Sequence, residues 1–222
     1  MMHRFLILAI AAVFAASAGA DHVPAQRGAR VLDYQHALPL VWGTLYRNGG
    51  ETLYCARRFG TDKGRAINVE HVFPMAWVGR HLKCGRRQQC RETSARFNRI
   101  EADLHNLWPA RADVNKARSA HPFALIEGER RAFEGCDFEV DERRRTVEPR
   151  PQVRGEIART MFYMADEYAL AIYPRQGRLL QAWNRDDAVS NEERRRNDLI
   201  ERIQGNRNKY IDTPELVEAL RF

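Results

Sequence analysis

The chain predicts an α+β fold, mostly helical, with a few short strands around the middle. Three observations lead there. The last third repeats apolar residues at helical spacing and carries helix caps; the β-branched, extended stretches before it are short; and no repeat, low-complexity tract or Ser/Gly linker divides the chain. About 200 residues therefore remain for one core once an N-terminal leader is set aside.

The leader is residues 1–20. Met1 to Arg4 carries one fixed positive charge, Phe5 to Ala16 is apolar, and Ala18-Gly19-Ala20 supplies the small residues of a cleavage site. The apolar run is shorter than the roughly 20 residues a bilayer span needs. It reads as a secretory signal cleaved after Ala20, leaving one mature domain over 21–222 with no membrane partner.

The elements follow in order. Val31 to Tyr46 has helical periodicity interrupted at Pro39, which is expected to open a second short helix. Asn48-Gly49-Gly50 is a turn, leading to a strand over Thr52 to Cys55. Ile67 to Val72 is β-branched and extended, and Pro74 stops it. Ser94 to Leu104 sets Phe97, Ile100, Ala102 and Leu104 in a helical pattern, and Ala112 to Ala117 is a further short helix. Phe138 to Val147 alternates like a strand, with Arg143 to Arg145 near a turn. Val153 to Tyr173 places Ile157, Met161, Met164, Tyr168 and Ile172 on one helical face. Ser190 with Glu193 forms a capping box opening a helix that ends near Gly205. Thr213-Pro214 starts the last helix.

Charge narrows the partners. The formal net charge is +7, and removing the leader's single Arg makes it +6. The excess gathers in Arg80 to Arg91, Arg143 to Arg150 and Arg194 to Arg196, and arginine far outnumbers lysine. A basic exported protein suits a polyanionic partner, nucleic acid or an anionic surface, and the guanidinium fork grips two phosphate oxygens.

The four cysteines, Cys55, Cys84, Cys90 and Cys136, read as two disulfides in an exported chain. Sequence allows three pairings. Cys84 with Cys90 closes a short loop, leaving Cys55 to join Cys136. A zinc site on Cys84, Cys90 and His81 is the rival, although five intervening residues fit a zinc knuckle poorly.

Chemistry concentrates between Asn68 and Asn115. Phosphodiester hydrolysis needs a base for water, a cation against the phosphate charge, and a donor on its oxygens. His71 titrates near neutrality and can serve as base. Glu70 and Asn115 offer the oxygens that a hard cation such as Mg²⁺ (or Mn²⁺) prefers. Arg86 or Arg87, in the loop closed by Cys84 and Cys90, can reach phosphate. His105, between Leu104 and Leu107, reads as a structural histidine. Asn106 and Trp108 read as capping and packing residues, and Asp103 as a helix-surface residue.

The run Val69-Glu70-His71-Val72-Phe73-Pro74, then Glu101-Ala102-Asp103-Leu104-His105-Asn106-Leu107 with Pro109, then Val114-Asn115, resembles the endonuclease I family of periplasmic and secreted nucleases. Arg154 to Tyr163, Ala182-Trp183-Asn184, and Gln204-Gly205-Asn206 with Asn208 continue the resemblance in order over nearly the whole mature chain. It implies a ββα-metal (His-Me finger) site within the α+β body. It gives His71 the role of general base, Glu70 and Asn115 those of metal ligands, and Arg87, three residues before the second loop cysteine, that of phosphate stabiliser, with Arg86 its close competitor. It places Glu101 near the active site. It implies cleavage of double- and single-stranded DNA and often RNA without sequence preference, leaving 5′-phosphate and 3′-hydroxyl ends; the protein is expected to be a monomer. Lys116-Ala117-Arg118-Ser119 departs from the Gly-containing continuation frequent after the metal-binding Asn, which bears on the shape of the substrate groove.

Two other functions fit parts of the sequence. A non-catalytic module binding extracellular nucleic acid or anionic envelope polymers would need the charge alone. A secreted thiol hydrolase would need one free cysteine beside a histidine.

Overall fold

The computed structural model describes residues 31–128 and 132–222. The expected leader over 1–20 and the first ten residues of the mature domain lie outside them. Among the described residues no helix is long and apolar enough to cross a membrane.

The body is α+β and mostly helical, as its sequence predicts. Helix α1 (Tyr34–Leu40) starts at Asp33, whose carboxylate accepts from the backbone N–H groups of Gln35 and His36 at 2.9 and 3.1 Å. Pro39 lies inside α1 and does not open a second helix. Leu40 keeps helical torsions, and the chain widens directly into a π turn over Val41–Leu45.

The strand expected over Thr52 to Cys55 is instead the turn of a small hairpin between β1 (Gly50–Glu51) and β2 (Arg58–Phe59). Thr52 decides this. Its carbonyl accepts from Ala56 N at 2.9 Å, and its hydroxyl accepts from Arg57 N at 3.0 Å, closing the turn on itself.

Strand β3 (Ile67–His71) pairs antiparallel with β4 (Leu107–Arg111), with Glu70 opposite Trp108 and His71 opposite Leu107. Between them lie three helices: α2 (Met75–Leu82), α3 (Arg87–Thr93) and α4 (Ala95–Glu101). Ser94 caps α4 by accepting from Phe97 N at 3.1 Å. The helix stops before Leu104, because Asp103 caps a separate 3₁₀ turn over Leu104–Asn106. Helix α5 (Ala112–Arg118) follows β4 without a loop and packs on both strands. A second hairpin joins β5 (Phe138–Asp141) to β6 (Thr146–Pro149), with Arg143 to Arg145 at its turn as expected.

Helix α6 (Arg154–Tyr168) buries Ile157, Met161 and Met164 completely. It ends five residues early, where Ala169 turns left-handed at φ 51°, so Ile172 lies beyond it. Then come α7 (Pro174–Asp186), α8 (Asn191–Gln204) and α9 (Lys209–Asp212). The capping box at Ser190 and Glu193 forms in full, and Gly205 ends α8 left-handed at φ 84°. The last element, Pro214–Ala219, is 3₁₀, and the Thr213 side chain caps nothing.

Both expected disulfides are present: Cys55–Cys136 and Cys84–Cys90. All four sulfurs are thus bonded, which removes the zinc site on Cys84 and Cys90 and the thiol nucleophile together.

Candidate active site

The site begins with how β3 ends. Asn106 sits opposite its exit, where its Oδ1 accepts from Phe73 N at 2.7 Å and its Nδ2 donates to Phe73 O at 3.1 Å. Val72 N donates to Asn106 O at 3.2 Å. The residues just after His71 are therefore clamped before Pro74 launches α2. At the other end, Ala112 N donates to Ala66 O at 2.9 Å and docks α5 beside β3. Two antiparallel strands and one helix so form a small platform. Its open side is a cleft of about 750 Å³ lined by Tyr34, Glu70, His71, Arg86, Arg87, Asn115 and Lys116 among others.

His71 is buried, and its Nε2 lies 3.0 Å from the backbone carbonyl of Glu101. A carbonyl oxygen only accepts, so Nε2 carries the proton and Nδ1 keeps its lone pair. Among the described residues no hydrogen-bond partner claims Nδ1. Burial, with Arg87 adding to it, holds the imidazolium pKa down to about 4, so the ring is neutral near pH 7. The Tyr34 ring stands over it, with 5.1 Å between centroids.

Glu70 is buried too. Its Oε1 accepts from Tyr54 Oη at 2.7 Å and lies 3.4 Å from Arg118 Nε. Burial raises its carboxyl pKa, while the Arg118 charge and the Tyr54 hydroxyl oppose the rise. Arg118, the last residue of α5, is among the largest fully buried side chains and also donates to Val72 O at 2.6 Å. A fixed cation thus backs the carboxylate and the strand end at once.

Asn115, one turn into α5, donates its Nδ2 to Asn68 Oδ1 at 2.8 Å and to Val69 O at 3.1 Å. The backbone acceptor settles which way the amide faces, and Oδ1 is left unpartnered among the described residues. Arg87 opens α3 with its guanidinium half-exposed (47 %) and its Nε donating to Glu101, whose side chain is 1 % exposed. Arg91 binds the same carboxylate from the next turn, at 2.7 and 2.9 Å. Both guanidinium groups lie 5.5 Å from the Tyr34 ring centre. Arg86 lines the same cleft, so geometry alone leaves both arginines within it.

Glu101 stands behind the cleft, holding Arg87 and Arg91 by its side chain and His71 by its backbone. It touches the cleft-lining groups without lining the cleft. His105 is away from it, with Nε2 3.3 Å from Asn206 O and its ring against Tyr163, a structural histidine as expected.

Beside this geometry stand the comparisons with known proteins. The family model described as Endonuclease I matches residues 29–215. An extracellular deoxyribonuclease of Aeromonas hydrophila is 33% identical over 227 residues, covering 96% of this chain and 98% of that protein. The chain belongs to the endonuclease I family. It is a nuclease. A periplasmic deoxyribonuclease of the same organism is 36% identical over 68% of this chain and 65% of its own length. An extracellular ribonuclease of Bacillus subtilis is 34% identical over 53% of this chain and 46% of its own.

Several residues of this endonuclease I chain that carry the resemblance build its frame. Arg159 is fully buried and binds Glu193 at 2.6 and 2.8 Å and Asn184 Oδ1 at 3.2 Å. Asn208 donates to Arg159 O at 3.1 Å. Asp103, expected on a helix surface, is buried. It accepts from Tyr163, Tyr168 and Gln204, because the chain turns inward after α4. Sequence reasoning missed Tyr34, Tyr54 and Arg118, each distant in sequence or uninformative alone. For Arg118 a signal existed, as it follows Asn115 by three residues and so shares its helix face.

Proposed function

We propose that this enzyme is an exported endonuclease, periplasmic or secreted, whose mature nuclease domain spans 21–222 and acts as a monomer. It hydrolyses phosphodiester bonds of DNA and RNA without reading sequence. The names of the relatives, the leader at residues 1–20 and the two disulfides support export. The deoxyribonuclease and ribonuclease relatives support both substrates. Arg80, Arg86, Arg87 and Lys116 line the cleft and suit phosphate, and phosphate contacts carry no base information.

One observation carries the mechanism. The carbonyl of Glu101 fixes the proton on His71 Nε2, leaving Nδ1 as an unprotonated base on a wall shared with Arg87 and Asn115. Water positioned at Nδ1 gives up a proton as its oxygen attacks phosphorus. The bond to the 3′-oxygen breaks and the phosphate stays on the 5′ side. A base held near pKa 4 by burial is weak by itself. The negative charge of the arriving phosphate raises its proton affinity when the proton must move. Arg87 meets the charge growing on the phosphate oxygens, and its link to Glu101 aims it beforehand. Arg86, in the same cleft, is its competitor for that role.

Glu70 and Asn115 fit a divalent cation: a buried carboxylate and an unpartnered amide oxygen are hard donors. Among the described residues no three His, Cys, Asp or Glu side chains form a metal cluster, so water and substrate phosphate would complete the shell. Mg²⁺ or Mn²⁺ bound there supplies positive charge against the scissile phosphate. Chelator added to purified protein should abolish nicking of supercoiled plasmid, and Mg²⁺ or Mn²⁺ should restore it. Full activity in excess chelator rejects Glu70 and Asn115 as metal ligands.

A further inference from the structure

Beyond Arg80 the catalytic cleft continues into two hollows of about 290 and 270 Å³, each lined by Trp77, Arg80 and Tyr173. Arg80 and Ala120 line both the cleft and the first hollow, so the surfaces are continuous. Tyr173, the residue just before α7, is 65 % exposed, the one aromatic among the exposed large hydrophobic residues described. An aromatic ring left this open beside a substrate channel lacks the burial that usually justifies its cost.

Its position is nevertheless built. Trp77 meets Tyr173 edge-on with 6.2 Å between centroids, and Trp77 Nε1 donates to Ala120 O at 3.0 Å. Phe73 braces Trp77 from behind at 5.7 Å, and Asn106 clamps Phe73. The same clamp that fixes the backbone after His71 therefore also fixes the bracket under Tyr173. Arg80 and Arg145 flank the ring, both exposed, and neither side chain makes a hydrogen bond or ion pair among the described residues. His121 lies beside Arg145, with Glu142 as the nearby acid.

We propose that Tyr173 is a stacking shelf for an unpaired nucleobase of the substrate strand, with Arg80 and Arg145 holding the phosphates on either side. The assignment rests on the nuclease reading and gives its single-stranded substrates a residue that holds an unpaired base. An aromatic face with flanking guanidinium groups is how sequence-indifferent proteins hold single strands, since every base offers a π face. In a duplex the bases already stack on one another and present no free face. The shelf thus favours single-stranded or frayed nucleic acid over intact duplex.

The test measures binding in chelator, where cleavage cannot intervene. Fluorescence anisotropy gives the affinity of wild type, Tyr173→Ala and Tyr173→Phe for a single-stranded oligo-dT, an oligo-rU, an abasic strand of equal length and a duplex. Wild type should bind the base-bearing strands more tightly than the abasic one by about 5- to 150-fold, the range of one base–aromatic stack. Tyr173→Ala should erase that gain and leave the duplex unchanged, while Tyr173→Phe should keep it. A gain confined to oligo-dT or to oligo-rU assigns the shelf to DNA or to RNA. A gain that survives in Tyr173→Ala, or an equal loss on the duplex, overturns the proposal. Plasmid nicking by the wild-type protein in Mg²⁺, run alongside, reports on the nuclease reading separately.

Discussion

At the scale of single residues, the side chains around β3 divide into those that would meet substrate and those that hold them. His71 is assigned to water and Arg87 to phosphate, and their variants should differ. His71→Ala should lower turnover by about 10²–10⁴-fold with gel-shift affinity unchanged. Arg87→Ala should lower turnover and weaken binding, because a guanidinium on phosphate acts before and during the reaction. Plasmid cleavage and gel shift in one buffer separate them, and near wild-type cutting by His71→Ala would reject it as the base. Arg118 belongs to the second group. Replacing it by Met leaves the Glu70 carboxylate buried without its cation, a change that costs about 3–5 kcal/mol. Arg118→Met should therefore lower the thermal midpoint and raise the Mg²⁺ needed for half-maximal nicking. An unchanged midpoint would mean that water replaces the guanidinium.

At the scale of elements, the two disulfides do unlike work. Cys55–Cys136 spans 81 residues and ties the β1–β2 turn to the entrance of β5; Cys84–Cys90 spans six and ties the end of α2 to α3. On chain entropy the long bridge contributes about 4–5 kcal/mol and the short one about 2–2.5 kcal/mol. The short one, however, frames Arg87. Serine at both Cys84 and Cys90 should thus cost more in cleavage than its melting shift explains. Serine at both Cys55 and Cys136 should cost chiefly stability. Denaturant melts set against plasmid rates test this, and equal proportional losses in both pairs would contradict it.

For the molecule as a whole, acid stability should follow two buried histidines, His71 in the cleft and His105 in the frame. His105 faces Asp103 on its own turn, Tyr163 on α6, Arg196 on α8 and Arg207 beyond it, and burial holds its pKa down to about 4 from 6.5. The unfolded chain thus binds this proton first. Stability contributed by the neutral ring is intact above pH 6.5 and is lost as pH falls towards 4, by on the order of 3 kcal/mol. His105→Gln retains a donor for Asn206 O and should make that part of the stability curve shallower, leaving the His71 share, as measured by urea melts across the pH range. A curve parallel to wild type would place the acid sensitivity elsewhere.

Much of this was legible in the sequence because it is local. The Ser190–Glu193 box, Gly205, Pro74 and the apolar face of α6 act through neighbours one helical turn away, and such signals survive without knowledge of the fold. Ordered motifs carried the family and brought Glu70, His71, Arg87 and Asn115 forward as one set, which the structure gathers around one cleft. Thr52 to Cys55 failed as a strand because Thr52 closes a turn through hydrogen bonds that β-propensity does not register. The left-handed end of α6 at Ala169 falls on a non-glycine residue that gives no stop signal, and the inward turn of Asp103 depends on partners 60 residues or more away, as when Tyr163 and Tyr168 donate to it. The proton on His71 Nε2, the Arg118 charge behind Glu70 and the exposed Tyr173 shelf were decided by tertiary structure alone. Each is a relation between groups that the chain separates and the fold brings within a few ångströms, where burial and hydrogen bonding set what a side chain can do.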